Sequence, residues 1–242
     1  MSENGMKKKV AVFDIDGTVS RTSLLFELTE ELIKEGIFPQ KARLKYIYSM
    51  EKWRAREGEA KTGFSYNEFI DDLVLTYLKY IRGIKMSVIQ KYAKKIADRE
   101  RVKLYRYTRE LINKLQKNYY MLAISHSPYE VVSPFAKSIG FDKVYAMVYE
   151  VDADDKYTGD VLYSDIIYKK DKVLKRFIKN QGMSLIGSVG CGDTENDIPF
   201  LKLVDTAIAY NPSMKLFNTA KKNKWKVVVE RKDVIYEIKK LN

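Results

Sequence analysis

Apolar positions along the chain follow two rhythms. Val10, Ala11, Val12 and Phe13 form a short unbroken run that stops at Asp14, as a strand buried on both faces of a parallel sheet does. Similar runs recur at 120–124, 186–191, 206–210 and 225–229, with helical patterns between most of them. Alternating strands and helices predict an α/β fold with a doubly wound, Rossmann-like parallel sheet. The long stretch between the first two runs differs. Leu24, Leu28 and Leu32 fall four apart, and Phe69, Ile70, Leu73, Val74, Tyr77, Leu78 and Ile81 make a broad stripe, both at helical spacing. Ser65 with Glu68, and Ser87 with Gln90, have the spacing of capping boxes at helix starts. The expected organisation is a core of residues 1–19 and 97–242 carrying a helical cap, 20–96, inserted after the first strand. Segments 143–150 and 157–163, rich in Val and Tyr around an acidic tip, predict a β-hairpin. That tip is not a calcium loop, because Lys156 and Tyr157 stand where a ligand and a sharp-turn glycine are needed.

Composition narrows the classes. With 45% apolar and 31% charged residues over 242 positions, the chain has material for a core and is not disordered throughout. No stretch has the apolar length of a membrane span, and the N-terminus lacks the apolar segment and cleavage site of a secretory signal. A single cysteine, Cys191, precludes an internal disulfide, and a single histidine, His126, leaves little for zinc. A cytoplasmic protein whose metal is held by oxygen is expected. The formal charge of +12 suits a nucleic acid, an anionic surface or a phosphorylated substrate. However, Lys34, Lys45, Lys79, Lys94, Lys114 and Lys175 are scattered through amphipathic segments, the pattern of solvated helix faces. A dedicated polyanion site is therefore not expected.

Chemistry gathers where the apolar runs end. Asp14, Asp16, Gly17 and Thr18 follow the first strand, at the sheet edge where open parallel sheets bind ligands. A second acidic turn, Gly192, Asp193, Thr194, Glu195, Asn196 and Asp197, follows another buried run. If these strands are neighbours, Asp14, Asp16, Asp193 and Asp197 converge, and their repulsion calls for a cation among them. Mg2+ is expected, since it accepts one or two carboxylates, keeps waters and is completed by phosphate. Ser125, at the end of the 120–124 run, offers a hydroxyl and following N–H groups to a phosphate oxygen. Lys170, ahead of Val173, Leu174, Phe177 and Ile178, offers a compact counter-ion.

These residues resemble the haloacid dehalogenase superfamily of phosphohydrolases, and within it subfamily IB, which includes phosphoserine phosphatases. Asp14, Asp16, Gly17 and Thr18 match its first motif, DxDGT, and Ser125 its second. Lys170, with Leu174 four residues on, matches the third, and Gly192, Asp193 and Asp197 the fourth, GDxxxD. Four ordered motifs are a far more specific signal than any one of them. The resemblance implies that Asp14 is a nucleophile forming an aspartyl-phosphate. It further implies that Asp16 is the general acid and base, its backbone carbonyl on the metal, that Asp193 is a direct Mg2+ ligand, and that Ser125 and Lys170 hold the phosphoryl oxygens. Asp197 would orient waters or the lysine from just outside, with Asn196 beside it. His126 adjoins Ser125 as a pocket-wall residue and Cys191 is read as core. Residues 19–23 lack the acidic group that phosphoserine phosphatases use for the substrate amine, so the resemblance does not extend to phosphoserine itself. Arg54 and Arg56 in the cap are read as surface charge rather than as partners of a substrate carboxylate.

The expected function is thus Mg2+-dependent hydrolysis of a small phosphorylated metabolite. The alternatives are a phosphotransferase or mutase using the same aspartyl-phosphate, or a basic nucleic-acid-binding protein without activity. A receiver-type signalling domain also phosphorylates a strand-end aspartate, but it has no counterpart to Asp16 or to the helical insertion.

Overall fold

The computed structural model describes residues 9–55 and 66–238. The buried run after Lys9 is strand β1 (Lys9–Phe13). The long apolar stripes then form four helices, α1 (Leu24–Lys34), α2 (Leu44–Ala55), α3 (Tyr66–Ile81) and α4 (Met86–Glu100). The chain re-enters the sheet through α5 (Arg106–Leu115), β2 (Tyr119–Pro128) and α6 (Tyr129–Ser138). The hairpin β3 (Lys143–Val151) and β4 (Tyr157–Leu162) precedes α7 (Ser164–Ile167), α8 (Lys170–Gln181) and β5 (Ser184–Gly192). Then come α9 (Ile198–Leu201), β6 (Thr206–Tyr210), α10 (Met214–Asn223), β7 (Lys226–Arg231) and β8 (Val234–Ile238).

Among the described residues the strands form one sheet in the order β4-β3-β2-β1-β5-β6-β7-β8. The inner strands are parallel and both edge pairs, β3 with β4 and β7 with β8, antiparallel. Val10, Ala11, Val12 and Phe13 have no exposed surface, because helices cover both faces of a doubly wound sheet. In register, Phe13 lies beside Ala123 of β2 and Cys191 of β5. Residues 14, 125 and 193 therefore emerge at one edge, at the point where the chain order reverses across β1, the usual ligand crevice of such sheets.

Several local expectations need correction. β2 and β5 are longer than the 120–124 and 186–191 runs suggest, because neighbouring strands supply ladder partners beyond the apolar segment. Ser87 is not an N-cap: α4 starts at Met86 behind Lys85, which makes no side-chain cap bond. The backbone of that start is instead satisfied by the hairpin, since Met86 N–H donates to the Asp155 carbonyl at 2.8 Å. The expected boundary at residue 96 falls inside α4, which continues to Glu100. Ser65 and Arg56 lie outside the described residues. Lys34, Lys45, Lys79, Lys94, Lys114 and Lys175 are exposed, as solvated faces require.

The hairpin seats the helical insertion. Gly83 N–H donates to the Tyr157 carbonyl at 2.8 Å and Tyr157 N–H to the Ile84 carbonyl at 3.0 Å, so the α3–α4 connection pairs with the hairpin edge. Tyr157 also donates its hydroxyl to Glu130 on α6 at 2.8 Å. Within the insertion, Glu31, 3% exposed, is paired with Lys95 at 2.6 Å and with Arg99, joining α1 to α4. Among the described residues no helix is long and apolar enough to cross a membrane.

Candidate active site

The turn after β1 is built on one carbonyl. Ile15 accepts the N–H groups of Val19 and Ser20 at 2.8 and 2.9 Å, folding the chain back on itself. Gly17 sits at φ +80°, and a Cβ there would run into the carboxylate of Asp193. The glycine is thus required twice, by its conformation and by the close approach of the second acidic turn. Asp14 N–H still donates to the Cys191 carbonyl at 3.0 Å, which holds the first aspartate in sheet register just past the strand.

Lys170, the first residue of α8 and 3% exposed, reaches across to this edge. Its ammonium donates to Asp14 Oδ1 at 2.5 Å and to Asp197 Oδ1 at 2.6 Å. Asp197 is fully buried and spends its other oxygen on the loop, accepting the N–H groups of Asp193 at 3.0 Å and Thr194 at 2.9 Å. Asp193 is held in turn by the Thr18 hydroxyl at 2.8 Å. Asp16 faces differently. Its Oδ1 accepts the Leu24 N–H at 2.6 Å, at the N-terminus of α1, and its Oδ2 accepts the Ser125 hydroxyl at 2.7 Å.

Of the four aspartates expected to converge, carboxylate oxygens of Asp14, Asp193 and Asp197 lie within 4.8 Å of one another. The Asp16 carboxylate is drawn aside because a helix N-terminus offers it unpaired N–H donors. Lys170 is the buried lysine, while its neighbours Lys169 and Lys172 are exposed. Ser125 has no exposed surface and does not cap a helix, since β2 runs on to Pro128 before α6 begins. Asn196 is exposed and lines the cleft together with His126. Cys191 is a buried core residue. Arg54 is exposed, on the rim of a second, larger cavity of about 750 Å³ between the helical insertion and the sheet.

The electrostatics follow from burial. Burial pushes the Asp14 carboxyl up to about 7, with Lys170 opposing and Asp197 and Asp16 adding to the rise. Burial, then Asp14 and Asp197, push Asp193 well above the carboxylate range. Asp16 is raised by burial against the hydrogen bonds from Leu24 and Ser125. Burial alone would depress Lys170, but Asp14 and Asp197 hold its ammonium above the ordinary range. The carboxylates that face one another are therefore short of positive charge even with Lys170 in place. The donor set fits a hard cation. Asp14 and Asp193 each have one oxygen without a hydrogen bond among the described residues, and the Asp16 carbonyl accepts none there. Asp197, both oxygens engaged, acts through Lys170 and the loop instead.

Several contributors escape a reading of the sequence. Thr18 stands in the first motif, but its hydroxyl has a task only once Asp193 arrives. Ser127 accepts the Leu25 N–H at 3.1 Å, tying α1 to the sheet edge. Tyr66, Ile70, Asp71 and Val74 of α3, with Tyr168, wall the cleft above Asp14. The helical stripe announces α3, but nothing in it says which flank will overhang the site.

A crevice at a parallel-sheet switch point, with strand-end aspartates around a buried lysine, is the ligand site of a doubly wound α/β enzyme. The family model of the haloacid dehalogenase-like hydrolases matches residues 11–202, and the chain belongs to that family. A histidinol-phosphatase of Neisseria meningitidis is 24% identical over 239 residues, covering 91% of this chain and 98% of the relative. A phosphoserine phosphatase of Streptococcus thermophilus is 28% identical over 207 residues, 84% of each chain. Among solved structures, a Bordetella pertussis protein of unknown function shares the fold at a TM-score of 0.69, with 20% identity over 92% of this chain and 98% of that one. A phospho-aspartyl intermediate analogue of phosphoserine phosphatase does so at 0.60, with 22% identity over 94% and 96%.

Proposed function

We propose that this chain is a Mg2+-dependent phosphatase that hydrolyses a small phosphate monoester through an aspartyl-phosphate on Asp14. The observation that carries the reading is the pairing of Asp14 with Lys170 at 2.5 Å inside a group of three aspartates, of which Asp14 and Asp197 are buried. It is supported by family membership and by relatives whose names are those of phosphatases.

Asp14 has one oxygen on Lys170 and one without a hydrogen bond among the described residues. The latter attacks phosphorus in line, forming the Asp14 O–P bond as the ester P–O bond breaks. Asp16, its carboxyl raised by burial, gives its proton to the departing alcohol oxygen. It then takes a proton from the water that cleaves the aspartyl-phosphate, releasing inorganic phosphate and restoring Asp14. Ser125, whose hydroxyl donates to Asp16 Oδ2 at 2.7 Å, and Lys170 would donate to the transferring phosphoryl oxygens. Asp14, Asp193 and the Asp16 carbonyl would hold Mg2+, with Asp197 setting Lys170. When bound, Mg2+ neutralises charge on the phosphoryl oxygens. The helical segment is read as a cap, approximately 20–96, that excludes water from the crevice.

Hydrolysis of an aryl phosphate with and without Mg2+, with Asp14→Asn as control, tests this. Phosphate release that needs both Mg2+ and Asp14 is expected, and equal release by wild type and variant would overturn it. Transfer of the phosphoryl group to an added alcohol in preference to water would point to a phosphotransferase.

A further inference from the structure

The cavity over Asp14, about 490 Å³, adjoins the larger one of about 750 Å³, and Ser23, Tyr66, Asp193 and Thr194 line both. A phosphoryl group at Asp14 needs only the first. The second is a ready chamber for the rest of the substrate, and the side built by the helical insertion is aromatic. Trp53 of α2 and Phe69 of α3 stack with planes 4° apart and ring centroids 5.8 Å apart. Tyr66 lies 5.0 Å from Trp53, and Phe26 of α1 lies 5.9 Å from Phe69. Three helices thus hold these rings against one another, while Trp53, Tyr66 and Phe26 remain half-buried and line the cavity. From the sheet side the Tyr105 ring and Met214, 73% exposed, line the same space.

The charged groups around this chamber are engaged elsewhere. Arg21 donates to Glu230 at 2.9 Å and to the Leu104 carbonyl, and it lies over the Tyr105 ring at 4.7 Å. Glu27 is paired with Arg99, and the Lys52 ammonium lies over the Tyr48 ring at 4.3 Å. Arg54 stands at the exposed rim. Recognition inside the chamber therefore falls to ring surface rather than to charge. Rings already fixed by their neighbours lose little freedom when a ligand arrives. They favour a second flat ring, in offset or edge-on contact, beyond what its buried area alone brings, and a thioether adds to that preference.

On the phosphatase reading, we propose that the aromatic wall formed by Trp53, Tyr66 and Phe69 seats the leaving group, and that the preferred substrates are phosphate monoesters of alcohols carrying a flat aromatic ring. Tyr66, bordering both cavities, marks the path of the linker between the ring and the ester oxygen.

Phenethyl, cyclohexylethyl and propyl phosphate test this. All three release a primary alkyl alcohol, so differences among them report on the chamber rather than on leaving-group acidity. Wild type with Mg2+ is expected to show kcat/KM for the phenyl ester at least about fivefold above the cyclohexyl ester, and further above the propyl ester. A merely apolar chamber would rank the cyclohexyl ester first, as the larger apolar group. In Trp53→Leu the ratio of phenyl to cyclohexyl ester falls to about one. Trp53 also packs the insertion, so a second measurement leaves it in place. Trp225→Phe makes Trp53 the only tryptophan, and phenylpropylphosphonate, which cannot be hydrolysed, is expected to shift its emission saturably to shorter wavelength, whereas propylphosphonate is not. The inference is overturned if the cyclohexyl or propyl ester matches the phenyl ester, or if the ring preference survives in Trp53→Leu. It is equally overturned if Trp53 emission does not respond to the phenyl phosphonate at concentrations that inhibit hydrolysis. Failure to hydrolyse these esters and an aryl phosphate would overturn the phosphatase reading and this inference with it, whereas hydrolysis without ring preference removes this inference alone.

Discussion

Replacing Lys170 by Met probes the site most directly, because the substitution keeps length and removes only the charge. The ammonium lies 2.5 Å from Asp14 and 2.6 Å from Asp197 and is 3% exposed. At an effective dielectric of about 20, each contact is worth roughly 6 kcal/mol before desolvation is subtracted. Burying the three groups cancels much of that, and removing one partner of a buried ion pair costs about 3–5 kcal/mol net. For a chain of this size, that lowers the melting temperature by roughly 6–20 °C. Turnover should fall by about 10²–10³, as when one donor to a developing negative charge is lost. The assay pairs a circular-dichroism melt with aryl phosphate hydrolysis, and Lys169→Met and Lys172→Met serve as controls. Both control side chains are exposed, so each should stay within about 0.5 kcal/mol of wild type. If Lys170→Met melted within 2 °C of wild type, or a neighbouring variant lost as much activity, Lys170 could not be the buried counter-ion.

Asp16→Asn should slow alkyl esters about 10²–10⁴-fold. An aryl ester, whose leaving group needs no proton, should lose less, and a Brønsted plot over leaving-group pKa would read the difference. In chelated protein the raised Asp14 carboxyl, pushed up to about 7, contributes stability that is full below about pH 4 and fades as pH rises through 7. Urea denaturation should therefore show Asp14→Asn gaining on wild type between pH 4 and pH 8, and a constant difference would refute the assignment. Gly17→Ala should abolish Mg2+-dependent activity, since Cβ collides with the Asp193 carboxylate at a φ that alanine resists. Isothermal titration with Mg2+ should show the corresponding loss of binding.

The parallel sheet, the helical insertion and the hairpin were legible because each depends on a local rhythm of apolar residues that survives in linear text. The strand-end motifs were legible too. Asp14, Asp16 and Gly17 occupy a turn whose geometry is set within a few residues, and Lys170 opens a helix whose apolar stripe is plain. Less could be read where the partner is distant. Ser87 looked like a cap and lies inside the first turn of α4, because Asp155, far along the chain, satisfies the helix start first. Thr18 stands in the first motif and Ser127 two residues past Ser125, but their hydroxyls find a task only against Asp193 and α1.

The sequence by itself determined at which strand ends the aspartates and Ser125 of the candidate site emerge, and that Lys170 opens a helix. Tertiary structure alone decided which carboxylates face one another, which one a helix N-terminus diverts, and which flank of α3 overhangs the cleft. Local spacing controls backbone conformation within a turn or two. Charge state and the reach of one side chain to another depend on burial and on distances between segments far apart in the chain, and these exist only once the fold has closed.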